Sequence, residues 1–221
     1  TSMQSITAKH LSDLSIGTSL LSLKRWQKMF ENIFSSYLYT NHIDCNLNDI
    51  KNNILQVQKE DKKGVVVSNK GGWQSKSFFK VNEVVKKLFD NIDLLNQDIK
   101  KNINIPQKLK LESYWYNINS LSDFNEPHYH LNLKTNSSLI SGVFYVSTFK
   151  NSGSLIFLND SHTTGLLYDK KIDNYNLYTS SNWKIEPKNN LCVLFPSNLL
   201  HYVEPNLLKE KRISMSFNYG L

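Results

Sequence analysis

The chain has 221 residues, is 40% hydrophobic and 12% aromatic, and carries a net charge of +7. That length and composition suit one sizeable domain, or a domain with an appended subdomain, and exclude a disordered chain. No apolar run approaches the ~20 residues of a membrane-spanning helix, and the scattered lysines of a Lys-, Asn- and Ile-rich chain argue against a nucleic-acid partner.

The first residues lack the apolar core of a signal peptide. Two cysteines, Cys45 and Cys192, make no disulfide framework. The expected compartment is therefore a reducing cytoplasm.

In chain order, residues 1–105 read as mainly helical. In 19–39, Leu20, Leu23, Trp26, Met29 and Ile33 recur at three- and four-residue intervals. In 46–58 the stripe is Leu47, Ile50, Ile54 and Val57. The longest helix is expected over 77–103, burying Val81, Val84, Leu88, Ile92 and Leu95. Between these last two segments, Gly71-Gly72 marks a turn or a close backbone approach.

After Pro106 the pattern changes. Short β-branched and aromatic runs follow, "LESYWYNIN", "LISGVFYVSTF", "SLIFLN", "NLCVLF", "HYVEP" and "RISMSFNY", separated by polar, Gly, Asn or Pro turns. Residues 106–221 are thus expected to form a sandwich or jelly roll, with the helices of 1–105 packed on its sheet as one overall domain.

"NEPHYHLNLK" (125–134) places two of six histidines, His128 and His130, one residue apart. On a strand, i and i+2 share a face about 7 Å apart, close enough to reach one metal ion. His201, opening "HYVEP", is the candidate third ligand, while His10, His42 and His162 sit in loop-like or terminal contexts and read as structural or surface residues. A polar strand face or a satisfied core pair is the competing reading of His128 and His130. Arginine is scarce here: Arg25 and Arg212 are the two among 26 basic residues. An arginine kept at 212 suggests a role that needs a planar fork of donors, such as gripping a carboxylate.

Taken together, His-x-His, "SGVFYV", "GSLIFLND", "IEPKNNLCVLFPSNLLHYVEP" and "RISMSFN" resemble the 2-oxoglutarate- and Fe(II)-dependent oxygenases, most of all a prolyl-hydroxylase-like bacterial and phage group. Upstream, "SNKGGWQS" fits the same pattern, so the resemblance spans roughly residues 64 to 219. It implies a double-stranded β-helix, or jelly roll, buttressed by N-terminal helices, with Fe(II) and 2-oxoglutarate as cofactors. It further implies that His128 and His201 ligate the metal. Arg212 and Ser214, in the Arg-x-Ser pattern, would meet the distal carboxylate of 2-oxoglutarate. Tyr145 would hydrogen-bond that carboxylate, and Asn117 is a weaker cosubstrate candidate. The implied reaction is hydroxylation of a C–H bond coupled to oxidative decarboxylation of 2-oxoglutarate to succinate. A peptidyl or amino-acid substrate is the first expectation.

The sequence departs from the family at one place. Where His-x-Asp or His-x-Glu is usual, the third ligand position holds His130. Strand geometry favours a three-histidine site. The alternatives are water in the third place, a carboxylate from Glu126 or Asp160, or a register shift that starts at His130 and puts Asn132 in the carboxylate position. Imidazole suits Fe, Zn and Cu alike. A cupin-type three-histidine dioxygenase without 2-oxoglutarate, or a binding protein with a vestigial metal site, are therefore the competing functions. Residues 160–182 are polar and are expected to form a lid or substrate wall.

Overall fold

The computed structural model describes residues 35–130, 138–159, 176 and 179–221. All of these except Ser35 belong to one compact unit, Ser36–Leu221. In chain order its elements are β1 (Tyr39–His42), α1 (Leu47–Glu60), β2 (Asn69–Lys70), β3 (Trp73–Gln74), α2 (Glu83–Asn102), β4 (Lys110–Asn119), β5 (Phe124–His128), β6 (Ser138–Ser147), β7 (Leu155–Leu158), β8 (Asn182–Ile185), β9 (Leu191–Pro196), β10 (His201–Val203) and β11 (Arg212–Gly220).

The strands form two antiparallel sheets. One has the order β1-β9-β6-β11-β4-β3, the other β2-β5-β10-β7-β8. From β4 to β7 successive strands alternate between the sheets, and β9, β10 and β11 resume that alternation. This winding is the jelly roll expected from the sequence.

The period-two patterning of the larger sheet separates two kinds of interior. On β11, Ile213, Met215, Phe217 and Tyr219 join the core built with α1 and α2, while Arg212, Ser214, Ser216 and Asn218 line a cavity on the opposite face. On β4, Tyr114, Tyr116 and Ile118 take the helix side, and Ser113, Trp115 and Asn117 the cavity side. Between the sheets, Val143, Tyr145, Val193, Phe195, Leu155, Phe157 and Val203 form a second apolar cluster. Gly142 sits directly opposite Phe217 in the β6–β11 register. A Cβ there would stand 2.4 Å from two Phe217 ring carbons, so the glycine is the space that the aromatic ring occupies.

Helix α1 lies close to its expected limits, whereas α2 starts later than the 77 expected. Asn46 caps α1 by accepting from the backbone of Asn48 and Asp49, and Asn82 caps α2 by accepting from Val85. Ile50 and Ile54 are buried as expected. On α2 the buried stripe is Val85, Leu88, Phe89, Ile92, Leu95, Asn96 and Ile99. Val81 and Val84 are exposed instead: Val81 precedes the helix, where Phe78 bridges to Tyr114 in extended conformation, and Val84 lies in its first turn. The helix expected over 19–39 lies mostly outside the described residues. Its end is not helical: Tyr39–His42 pairs along the edge of β9. His42 is accordingly an exposed strand residue rather than a loop residue. Gly71, with φ +81°, turns the chain from β2 in one sheet to β3 in the other, with its Cα face against the Asp123 carboxylate. Cys192 is a buried free thiol in β9, and burial raises its pKa. Among the described residues, no helix is long and apolar enough to cross a membrane.

Candidate metal centre

The cavity between the sheets has a volume of about 350 Å³. His128 ends β5, His201 opens β10, and the two are direct partners in the β5–β10 register. His130 follows the end of β5, where its backbone N–H donates to Ser197 O at 3.0 Å. One ring nitrogen from each histidine lies within 4.8 Å of those of the other two. The ring centroids are 4.4 Å apart for His128–His201, 4.9 Å for His130–His201 and 5.1 Å for His128–His130.

The other ring nitrogens fix the tautomers. His128 Nδ1 donates to Glu126 O at 2.6 Å and His201 Nδ1 donates to Leu199 O at 2.7 Å, in each case the carbonyl two residues earlier. His130 Nδ1 donates to Asn218 Oδ1 at 3.0 Å, across 88 positions of sequence. Carbonyl oxygens only accept, so each Nδ1 carries the proton and each Nε2 keeps a free lone pair. This is the arrangement by which outer partners orient imidazole ligands around a metal.

Electrostatics keep the rings neutral. Burial lowers the His128 pKa, against the bond to Glu126. Burial, then His201 and His128, hold His130 well below the usual imidazole range, with Asn218 opposing. Burial and His128 push His201 down to about 4, against the bond to Leu199. The rings of Phe157 and Phe195, centred 5.9 Å and 4.8 Å from His201, supply much of that apolar surrounding. At neutral pH the three imidazoles are thus unprotonated ligands. Their donor set fits a divalent transition metal.

The same cavity is lined by Arg212, 3% exposed, its Nε without a hydrogen-bond partner. Its guanidinium carbon lies 5.5 Å from the centre of the Tyr145 ring, and the Tyr145 hydroxyl is also buried and unpartnered. Burial raises the Tyr145 pKa, with Arg212 opposing, so the phenol keeps a proton to donate. Ser214, the register partner of both Tyr145 and Asn117, lines the same cavity. Asn117 Nδ2 donates to Ser216 Oγ at 3.1 Å. Among the described residues no Asp or Glu lines this cavity. A buried cation without a carboxylate, beside an unused hydroxyl donor, calls for an anionic ligand.

The cavity brings together seven of the candidates named from the sequence: His128, His130, His201, Arg212, Ser214, Tyr145 and Asn117. Glu126 turns away to an ion pair with Lys70 at 3.1 Å and is half exposed, so it is no ligand in this arrangement. Asp160, Asn132, His10, His162 and most of 160–182 lie outside the described residues. Sequence reasoning missed Asn218, Ser141, Ser197 and Trp115. Asn218 was within reach, because continuing the period of two from Arg212 and Ser214 leads to Ser216 and Asn218.

Comparison with known proteins agrees with this geometry. Residues 113–218 match the family described as "Putative 2OG-Fe(II) oxygenase". No curated protein sequence matches the chain significantly. Among solved structures, a Pseudomonas putida prolyl-4-hydroxylase is similar with a TM-score of 0.58 at 12% identity, covering 83% of this chain and 91% of that one. A viral collagen prolyl hydroxylase from Paramecium bursaria Chlorella virus-1, in complex with 2-oxoglutarate, gives 0.55 at 15% identity, covering 84% and 97%. A Trichoplax adhaerens prolyl hydroxylase, bound to a peptide fragment of the hypoxia inducible factor oxygen degradation domain, gives 0.59 at 12% identity, covering 84% and 83%.

Proposed function

We propose that the chain, which matches the 2OG-Fe(II) oxygenase family over residues 113–218, is a 2-oxoglutarate- and Fe(II)-dependent hydroxylase with a three-histidine metal site. In this reading His128, His130 and His201 hold Fe(II) through Nε2. Arg212, Tyr145 and Ser214 bind the distal carboxylate of 2-oxoglutarate, and Asn117 lies alongside. One observation carries the reading: a single cavity, with no acidic group among the described residues, presents three neutral imidazoles together with a buried, unpartnered arginine nitrogen and tyrosine hydroxyl.

When bound, Fe(II) and 2-oxoglutarate supply oxidative decarboxylation of the 2-oxo acid by dioxygen to succinate and CO2, coupled to hydroxylation of a substrate C–H bond. The chain's own residues do the positioning. The Nδ1 bonds keep the three imidazoles facing inward, so little reorganisation accompanies metal binding. Arg212 offers a fixed fork of charge-assisted donors to a carboxylate, and Tyr145 adds a neutral donor. Burial strengthens both by excluding water from the contact. Three neutral ligands leave a divalent ion at net +2, where two histidines and a carboxylate leave +1. That raises the attraction of the cavity for a dianion.

The likeness in fold to prolyl hydroxylases supports a peptidyl C–H bond as the substrate. A three-histidine donor set would also serve a cupin-type dioxygenase that uses no 2-oxo acid, but such an enzyme has no need of the Arg212–Tyr145 pair. Succinate release, measured aerobically with Fe(II), 2-oxoglutarate and a panel of proline-containing peptides, tests the reading. Peptide-stimulated succinate is expected. Arg212→Ala should raise the 2-oxoglutarate requirement by about 10- to 100-fold, the loss of one to two charge-assisted hydrogen bonds, without lowering metal content. An unchanged requirement in Arg212→Ala would remove Arg212 from its role, and metal-dependent oxidation without succinate would favour the cupin-type reading.

A further inference from the structure

We propose that Asn218 is the positioning residue that makes His130 a metal ligand. The inference rests on the three-histidine reading and deepens it. His128 and His201 need no outside help, since each donates its Nδ1–H to the carbonyl two residues before it on its own chain segment. His130 has no such local acceptor. Its Nδ1–H goes to Asn218 Oδ1, on β11 of the opposite sheet.

The Asn218 amide is held by a second partner. Its Oδ1 also accepts from Ser141 Oγ at 2.8 Å, so one oxygen serves both the hydroxyl and the His130 ring. Ser141 spends its hydroxyl proton there, so in its 2.8 Å contact with Ser197 Oγ it accepts. Ser197 O in turn accepts the backbone N–H of His130. The circuit thus closes from the His130 ring through Asn218, Ser141 and Ser197 to the His130 backbone. Ser141 and Ser197 are 0% and 1% exposed, so water competes little with these bonds.

The chemistry explains why the device belongs to His130. A carboxylate in the third ligand position presents an anionic oxygen in any rotamer and needs no tautomer control. An imidazole there must be told which nitrogen keeps the proton. Asn218 does so without adding a charge, and it leaves Nε2 aimed at the space shared with His128 and His201.

The test is Co(II) titration of metal-stripped protein, read by visible absorption and by dissociation constant, for wild type, Asn218→Ala, Asn218→Asp, His130→Ala and the double variant His130→Ala/Asn218→Ala. Asn218→Ala is expected to weaken Co(II) binding by about 10- to 100-fold, the usual effect of losing an outer partner of a ligating histidine, and to shift the Co(II) spectrum toward that of His130→Ala. Asn218→Asp retains an acceptor and should restore affinity and spectrum. In the His130→Ala background the Asn218 change should have no further effect. Wild-type affinity and spectrum in Asn218→Ala, or equal losses with and without His130, would overturn the assignment while leaving the three-histidine site standing. Wild-type binding in His130→Ala would overturn that site, and the inference with it.

Discussion

At the residue scale, the site consists of groups whose ionisation has been set by their surroundings. The three imidazoles all have pKa values lowered by burial, His201 to about 4. An unfolded chain takes up these protons near pH 6.5, while the folded metal-free protein resists them. Between those limits the unfolded state binds more protons, so folding stability falls as pH falls. It is complete above about 6.5, declines toward pH 4, and levels off below the folded pKa. For metal-free protein, urea unfolding at pH 7 and pH 4.5 should differ by about 2 kcal/mol from His201 alone. A His201→Ala variant should lose most of that difference, and an unchanged pH dependence would mean that His201 is not held neutral by the fold. His128 and His130 stood out in the sequence by their spacing, His201 by its place at the start of a strand-like run, Arg212 by the scarcity of arginine, and Tyr145 only through the family resemblance. For Asn218 the period of two along β11 gives the face but not the role, since asparagine is abundant throughout this chain and the role depends on an acceptor reaching across from another sheet.

At the scale of elements, β11 organises the molecule. It pairs with both β4 and β6, buries four large side chains against the helices and directs Arg212, Ser214, Ser216 and Asn218 to the cavity. Gly142 lets this strand pack closely on β6, because the Phe217 ring fills the place of a side chain. Gly142→Ala should therefore destabilise by about 1–3 kcal/mol through overpacking, read as a lower urea midpoint with unchanged slope. A midpoint equal to wild type would show that Phe217 can move aside freely. Strands β4, β6, β7, β9, β10 and β11 were legible from β-branched and aromatic runs. β1, β2, β3 and β8 were not, being two to four residues long and largely polar or exposed. The α2 stripe was misplaced at its start for a related reason. Val81 and Val84 carry helical spacing, but the cap at Asn82 starts the helix later and turns Val85 and Phe89 inward instead.

At the scale of the whole molecule, the jelly roll separates support from chemistry. Two helices and the aromatic face of one sheet form the main core, which leaves the inter-sheet end free to bury polar and cationic groups. This division was readable in outline from helical patterning followed by strand patterning. The sheet order was not, because local periodicity says nothing about which strands become neighbours. The cavity itself holds a cationic side chain and three imidazoles with no acidic group among the described residues. Metal and dianion should therefore bind as a coupled pair, each raising affinity for the other by the same factor. The measurement that tests this most directly is anaerobic calorimetry of 2-oxoglutarate binding to metal-stripped protein, with and without Fe(II). The account predicts weak or undetectable binding without metal and one-to-one binding with it. Stoichiometric Fe(II) binding that leaves 2-oxoglutarate affinity unchanged would contradict it.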